Sequence, residues 1–309
     1  YMKIAFLGSS SQIAKGLLRE FYNEDKHHFY LFTRDTESFN DWIESAKLNF
    51  QHIKLESFKN FNSSLEFDLI INFVGIGDPA KALKMGSKIF DITYEYDQLV
   101  LDYLIFHPNA KYIFISSGVV YGDIFESPAS ITSSSIIHIN DLKNTDWYSM
   151  SKIYAESRHR ALEQFSITDV RVFNYVSSDL DINSRFLITD ALRSIKENQI
   201  MKTDDKNITR DYIGPEDLYQ LIMKLAENDF LNTSVDCFTK DPTDKFSILE
   251  LMKSQFGLKY EIINSNSGIN AYGSRDNYFS VNYKANSFGY EPSFSSLDNI
   301  ALASEALLR

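Results

Sequence analysis

Two short stretches of this chain hold the residue types that make a proton-transfer device. "DWYSMSK" (146–152) places Tyr148 four residues before Lys152, and "FISSGVVYGD" (114–123) ends an apolar run in paired serines, the second being Ser117. Residues four apart on a helix share a face. An ammonium at Lys152 then lies one turn from the Tyr148 phenol and is expected to favour its phenolate, lowering a reference pKa of about 10. A phenol tuned in that way serves as a general acid–base, with a serine hydroxyl beside it to hold the reacting oxygen. The spacing alone carries little weight: in a chain with 18 tyrosines a second pair, Tyr22…Lys26, occurs in "FYNEDK". That pair spans the expected end of a helix and has no serine-bearing strand end beside it in sequence.

A second constellation is "GSSSQIAKG" (8–16), which joins an apolar run to an amphipathic stretch. Gly8 suits a tight turn, and the amides of Ser10, Ser11, Gln12 and Ile13 that open the following helix are placed to hold a pyrophosphate. Gly8, Ser11 and Ala14 stand at the three-residue spacing of the dinucleotide fingerprint, with two of its three glycines replaced. Twenty residues on, "YLFTRD" puts Thr33 and Arg34 where an NAD site usually has an acid for the ribose 2′-hydroxyl. A cation there pairs with a 2′-phosphate, so NADP is the preferred cofactor; NAD is the alternative, with Asp35 as the acid.

The elements that must position these residues follow from periodicity. Apolar runs at 3–8, 29–32, 52–55, 69–75, 112–117 and 169–173 read as strands, and 12–22 and 148–165 read as helices. In 12–22, Ile13, Leu17, Leu18 and Phe21 fall on one face. Such alternation predicts βαβ units: an α/β, Rossmann-type doubly wound parallel sheet with helices on both faces and ligands beyond the carboxyl ends of the strands. The second half is less regular. Helical patterns cover 184–198, 214–228 with Pro215 at the first helical position, and 247–257 with a Ser247/Glu250 capping box and Gly257 at its end. Residues 126–146 form a polar, Ser-rich loop.

Composition bounds the function classes. The 309 residues are 44% hydrophobic and 24% charged, enough for one large domain or two joined lobes. A net charge of −11 argues against nucleic acid as partner. The single Cys237, in "SVDCF", excludes an internal disulfide, reads as a buried structural thiol and fits a reducing, cytoplasmic compartment. No apolar run is long enough for a membrane span, and no signal peptide is expected ahead of the first strand. The six histidines show no metal-ligand spacing, so no metal site is expected.

Taken in order, the motifs resemble the extended short-chain dehydrogenase/reductases that act on nucleotide sugars, the NAD-dependent epimerase/dehydratase group. "DLIINFVG" (68–75) is similar to that family's cofactor-lining segment, "SSGVVYG" to its serine-bearing strand and "YSMSK" to its Tyr-x-x-x-Lys pair. "RVFNYV" (171–176), "RDYIGPEDL" (210–218) and "FGYEP" (288–292) match its later signatures. The resemblance implies Tyr148 as acid–base, Lys152 on the nicotinamide ribose, Ser117 on the sugar oxygen, and Phe73, Val74 and Gly75 along the cofactor. It implies Asn174 and Arg210 at the substrate diphosphate, and Arg275 in "GSRDN" as a second clamp. It also implies a homodimer through a helical bundle, with residues 1–174 and 211–244 binding the dinucleotide and 175–210 and 245–309 forming a smaller substrate-binding lobe.

Departures narrow the chemistry. The 4,6-dehydratase branch has Asp-Glu after its catalytic hydroxyl residue, whereas Gly118 and Val119 follow Ser117 here. The epimerase–reductase branch employs a cysteine near the serine segment, and Cys237 is far from it in sequence. Two chemistries of hydride transfer at a sugar carbon remain in the resemblance, and the Thr33–Arg34 pair, by favouring an exchangeable NADP, points to reduction of a nucleotide-linked 4-keto sugar. The alternatives are an NAD-dependent C4 epimerase and, from another class, a dinucleotide-binding sensor or scaffold without turnover.

Overall fold

A computed structural model describes residues 1–24, 26–75, 79–264 and 275–309. Its centre is a seven-stranded sheet built from β1 (Lys3–Leu7), β2 (His28–Thr33), β3 (Ile53–Ser57), β4 (Leu69–Asn72), β5 (Lys111–Ser117), β6 (Ile167–Val172) and the strand Asn232–Asp236. The order is Asn232–Asp236, β6, β5, β4, β1, β2, β3, and every pairing is parallel. Parallel strands are covered on both faces and so read as unbroken apolar runs: Ile4, Ala5, Phe6 and Leu7 are all fully buried. The expected Rossmann-type fold is the observed one.

The two faces carry separate cores. On one, α1 (Gln12–Glu24) turns Leu17, Leu18 and Phe21 onto the sheet, as its periodicity required, joined by Phe39 and Ile43 of α2 (Thr36–Ser45) and by Leu218, Leu221 and Ile222 of the helix Pro215–Glu227. On the other, after the short helix α3 (Pro79–Met85), α4 (Lys88–Phe106) and α5 (Trp147–Ala161) cover Ile70, Tyr112 and Phe114. A third cluster joins Val176, Ile188, Leu192, Met201, Leu249, Met252 and Ile300 from the helices Leu187–Lys196, Lys245–Phe256 and Ser296–Leu308 and the strand Ile200–Asp204.

Buried charge ties the second face together. His159 of α5 is fully buried between Asp97 of α4 (Nε2–Oδ1 2.8 Å) and Asp169 of β6 (Nδ1–Oδ1 2.6 Å). The Tyr112 hydroxyl donates to Asp97 (2.8 Å) and accepts from Asn72 Nδ2 (3.0 Å). Burial alone would push the His159 pKa down; the two carboxylates outweigh it and raise it to about 9.

Two expected boundaries move. The helix read over 148–165 stops at Ala161, and Leu162 turns out of it. Asn232 Nδ2 donates to the carbonyls of His159, Leu162 and Phe165 at 3.0–3.1 Å, satisfying acceptors that the helix end leaves free. The capping box expected at Ser247 is replaced by Asp244, whose side chain accepts from the Ser247 amide and starts the helix at Lys245. Asp244 is the better cap because its carboxylate also takes the Ser247 hydroxyl at 2.8 Å. Pro215 opens its helix and Gly257 closes the next one, both as expected.

Candidate active site

Strand order reverses at β1, which pairs with β2 on one side and β4 on the other, and the crevice at this switch point is where open α/β sheets bind ligands. Gly8 ends β1 with φ +81, and a Cβ there would stand 3.1–3.3 Å from Val74 and Phe73, so only glycine lets these two strand ends approach. The amides of Gly8 and Ser9 donate to the Phe32 carbonyl (3.0 and 3.1 Å), and Ser11 Oγ accepts from the Ala14 amide at 3.2 Å. Gln12 and Ile13 open α1, with Ile13 packed against the core. The close approach that a fingerprint glycine serves falls at Gly16, a position the spacing rule missed: a Cβ there would lie 1.9 Å from Tyr175 Oη.

Beside this turn, at the end of β2, Ser10, Lys15, Thr33, Arg34, Asp35, Ser38, Phe39 and Trp42 line a pocket of about 140 Å³. Thr33 Oγ1 lies 3.4 Å from Ser10 Oγ. Asp35 both lines this pocket and caps α2, its Oδ1 accepting from the Ser38 amide (3.0 Å). Lys15 was not singled out from sequence. Its ammonium stands 5.0 Å from the Trp42 ring centroid, a contact made by α1 and α2 and visible only once they pack.

Across the switch point, Ser117 closes β5 and caps the turn Gly118–Tyr121 by accepting from the Val119 amide at 3.3 Å. Gly118 is there because a Cβ would meet the Phe173 ring at 2.4 Å. Lys152 is 1% exposed; its Nζ donates to the Ile115 carbonyl (3.0 Å), lies 4.4 Å from the Phe114 ring, and faces Gly75, where a Cβ would come within 3.0 Å. Ser117, Tyr148 and Lys152 are thus brought together beside the loop Phe73–Gly75.

Their electrostatics differ from the sequence expectation. Lys152 Nζ sits 5.8 Å from the Tyr148 ring centroid and is held by a carbonyl, not by the phenol. Burial, reinforced by Tyr278, raises the Tyr148 pKa well above 10, and a hydrogen bond with Ser117 opposes it. Burial lowers Lys152 to about 8 against the pull of Asp97, Glu156 and Asp169. Desolvation therefore outweighs the expected one-turn attraction, and the Tyr148 pKa moves up where the spacing had predicted a move down.

The residues expected on the substrate side gather around Tyr278, which sequence reasoning did not name. Tyr278 Oη is 3.3 Å from Ser117 Oγ. Arg275 and Arg210 place their guanidinium carbons 5.1 and 5.9 Å from its ring centroid, and Asn174 Nδ2 lies 3.3 Å from the Asp211 carbonyl and 3.5 Å from that of Tyr278. The strand Asn277–Tyr278 pairs with Thr209–Arg210, which is what brings Tyr278 here from 161 residues away. Cys237 is buried and its thiol is pushed well up by burial, so it lies outside this chemistry. Among the described residues no His, Cys, Asp and Glu cluster could hold a metal, and no helix is long and apolar enough to cross a membrane.

The model of the NAD dependent epimerase/dehydratase family matches residues 4–235. A comparison with curated proteins finds no match. Among solved structures, the chain is similar to a UDP-glucose 4-epimerase from Bifidobacterium longum with NAD+ and UDP (TM-score 0.78, 18% identity, 99% of this chain and 97% of that one covered). It is similar to a UDP-glucuronic acid 4-epimerase from Bacillus cereus with UDP-glucuronic acid and NAD (0.77, 16%, 99% and 99%). It is also similar to a dTDP-glucose 4,6-dehydratase from Bacillus anthracis with NAD (0.76, 15%, 99% and 96%). At these identities the likeness is one of fold.

Proposed function

The chain belongs to the NAD dependent epimerase/dehydratase family, and from that premise we propose that it reduces a nucleotide-linked 4-keto sugar, with NADP preferred over NAD. The observation that carries this reading is the pair of cations, Arg34 and Lys15, in the pocket at the end of β2, which favours an exchangeable NADP and so net reduction, with Ser117 and Tyr148 beside the carboxyl end of β5 to hold and protonate the sugar oxygen.

The dinucleotide fits the residues present. The amides of Ser10, Gln12 and Ile13 at the start of α1 are left for a pyrophosphate, those of Gly8, Ser9 and Ser11 being bonded within the turn and to Phe32. Arg34, Lys15, Ser10, Thr33 and Ser38 line the pocket at the end of β2, two cations and three hydroxyls suited to a 2′-phosphate. Asp35 lines the same pocket while one of its oxygens caps α2, so the reading rests on two cations facing one carboxylate there. When bound, the cofactor supplies the hydride that makes the sugar carbonyl an alkoxide. Ser117 holds that oxygen, Tyr148 gives it the proton, and Lys152 holds a ribose hydroxyl below Gly75. Arg210, Arg275 and Asn174 clamp the diphosphate. We assign no dehydration, because Gly118 has no room for an acidic side chain against Phe173. On this reading residues 1–174 and 211–244 bind the dinucleotide, and 175–210 and 245–309 form the lobe that holds the sugar nucleotide. Two copies associate through α4 and α5, where exposed Tyr94 and Tyr154 stack and Arg158 lies over both rings.

A C4 epimerase is the second reading, favoured by the fact that the same three side chains serve hydride transfer in either direction. Mass spectrometry of ligands released from the purified protein, followed by NADPH oxidation assays with nucleotide-linked 4-keto sugars, separates the two. Net NADPH consumption is the expected result. Tightly held NAD without NADPH consumption would replace the reductase by the epimerase.

A further inference from the structure

Behind the site lies a buried ionic cluster that the proposed reaction does not employ. Arg171 of β6 grips Glu156 of α5 with Nε (3.0 Å to Oε1) and Nη2 (2.6 Å to Oε2). Its Nη1 reaches Tyr121 Oη at 3.0 Å and Asp236 Oδ1 at 3.3 Å. Glu156 accepts from Ser116 Oγ at 2.6 Å, and Ser116 is the residue before Ser117. Asp236 accepts from Tyr121 Oη (2.8 Å) and Ser280 Oγ (2.7 Å), and Ser280 is two residues past Tyr278. Asp236 is fully buried, and the Glu156 and Arg171 side chains are 10% and 17% exposed.

One guanidinium therefore joins the four segments that meet at the catalytic hydroxyls: the tip of β5, the turn after it, α5 one turn beyond Lys152, and the 278–280 segment. We propose that Arg171 is a positioning residue, which sets the separation of Ser117 from Tyr148 and Tyr278 by clamping Glu156 and Asp236 at once. It touches neither substrate nor cofactor. The planar fork of arginine is what the geometry uses, because two bonds to one carboxylate and a third nitrogen turned to another need three donors in fixed directions. A lysine supplies the charge without the fork. The function assigned to Arg171 rests on the proposed reduction, while the clamp itself can be measured without turnover.

The test compares wild type with Arg171→Lys and with a triple variant, Arg171→Met with Glu156→Gln and Asp236→Asn, which leaves neither buried carboxylate unpaired and so guards against loss of folding. With UDP-4-keto-6-deoxyglucose as probe, kcat should fall roughly 100-fold in both, since a displacement of about 1 Å at reacting groups costs that much. KM for the sugar and NADPH affinity by fluorescence should stay within about twofold. A kcat within about threefold of wild type in Arg171→Lys, or a loss carried mainly by KM, overturns the proposal. If wild type consumes no NADPH with any keto sugar, the proposed function fails, and a crystal structure of Arg171→Lys decides the clamp. Ser117 Oγ and Tyr278 Oη drawn apart supports it, and an unchanged 3.3 Å separation overturns it.

Discussion

Tyr148 and Lys152 were paired by spacing, yet the physics that governs them is burial. The phenol is raised and the ammonium lowered because both sit in a poorly solvated place, and the attraction between them is too indirect to reverse either shift. Its place beside Ser117 is what fits Tyr148 as the proton donor of the proposed reduction. Tyr148→Phe is expected to lower turnover by about 10²–10⁴-fold while NADPH titration by fluorescence gives unchanged affinity; retained turnover would remove Tyr148 from the chemistry. At the other end of the crevice, Arg34 and Lys15 share one pocket. Replacing both by alanine should raise KM for NADPH about 10–100-fold, the worth of a charge-assisted hydrogen bond or two, and leave KM for NADH nearly unchanged. Equal losses for both cofactors would show that these cations do not read a 2′-phosphate.

Helices α4 and α5 owe their mutual position to charge as much as to apolar packing. His159 carries a folded pKa of about 9 against an ordinary value of 6.5, because Asp169 and Asp97 outweigh its burial. A raised pKa means that the folded state binds the proton more tightly than the unfolded one. The resulting stabilisation is fully present below pH 6.5 and is lost as pH rises through about 9, and its size is on the order of a few kcal/mol. Urea midpoints of wild type should drop across that window, and those of His159→Gln should drop less. Identical pH slopes would mean that His159 is not charged in the fold.

At the scale of the whole molecule, α4 and α5 also present the outward face carrying Tyr94, Tyr154 and Arg158. If two copies meet there, Tyr94→Glu with Tyr154→Glu, both at exposed positions, should shift sedimentation from dimer to monomer without changing the thermal midpoint of the monomeric fold. A wild-type protein that sediments as a monomer at micromolar concentration would remove the bundle from consideration.

Local pattern was enough for the parallel α/β class of fold and six strands of its central sheet, the Gly8 turn, the Ser117 strand end and the helix carrying Tyr148 and Lys152; the edge strand Asn232–Asp236 was not read. Each feature that was read is contiguous, and its periodicity or turn chemistry is written over a few adjacent residues. Packing decided the rest. The 161 residues between Ser117 and Tyr278, the meeting of Lys15 with Trp42, and the reach of Arg171 to Asp236 arise only when strands pair and helices dock, and no spacing rule spans such distances. Gly16 instead of Ala14 as the point of close approach depended on where Tyr175 came to lie. The protonation state of Tyr148 belongs to the same class, because desolvation is a property of the surrounding volume and has no counterpart in the order of residues along the chain.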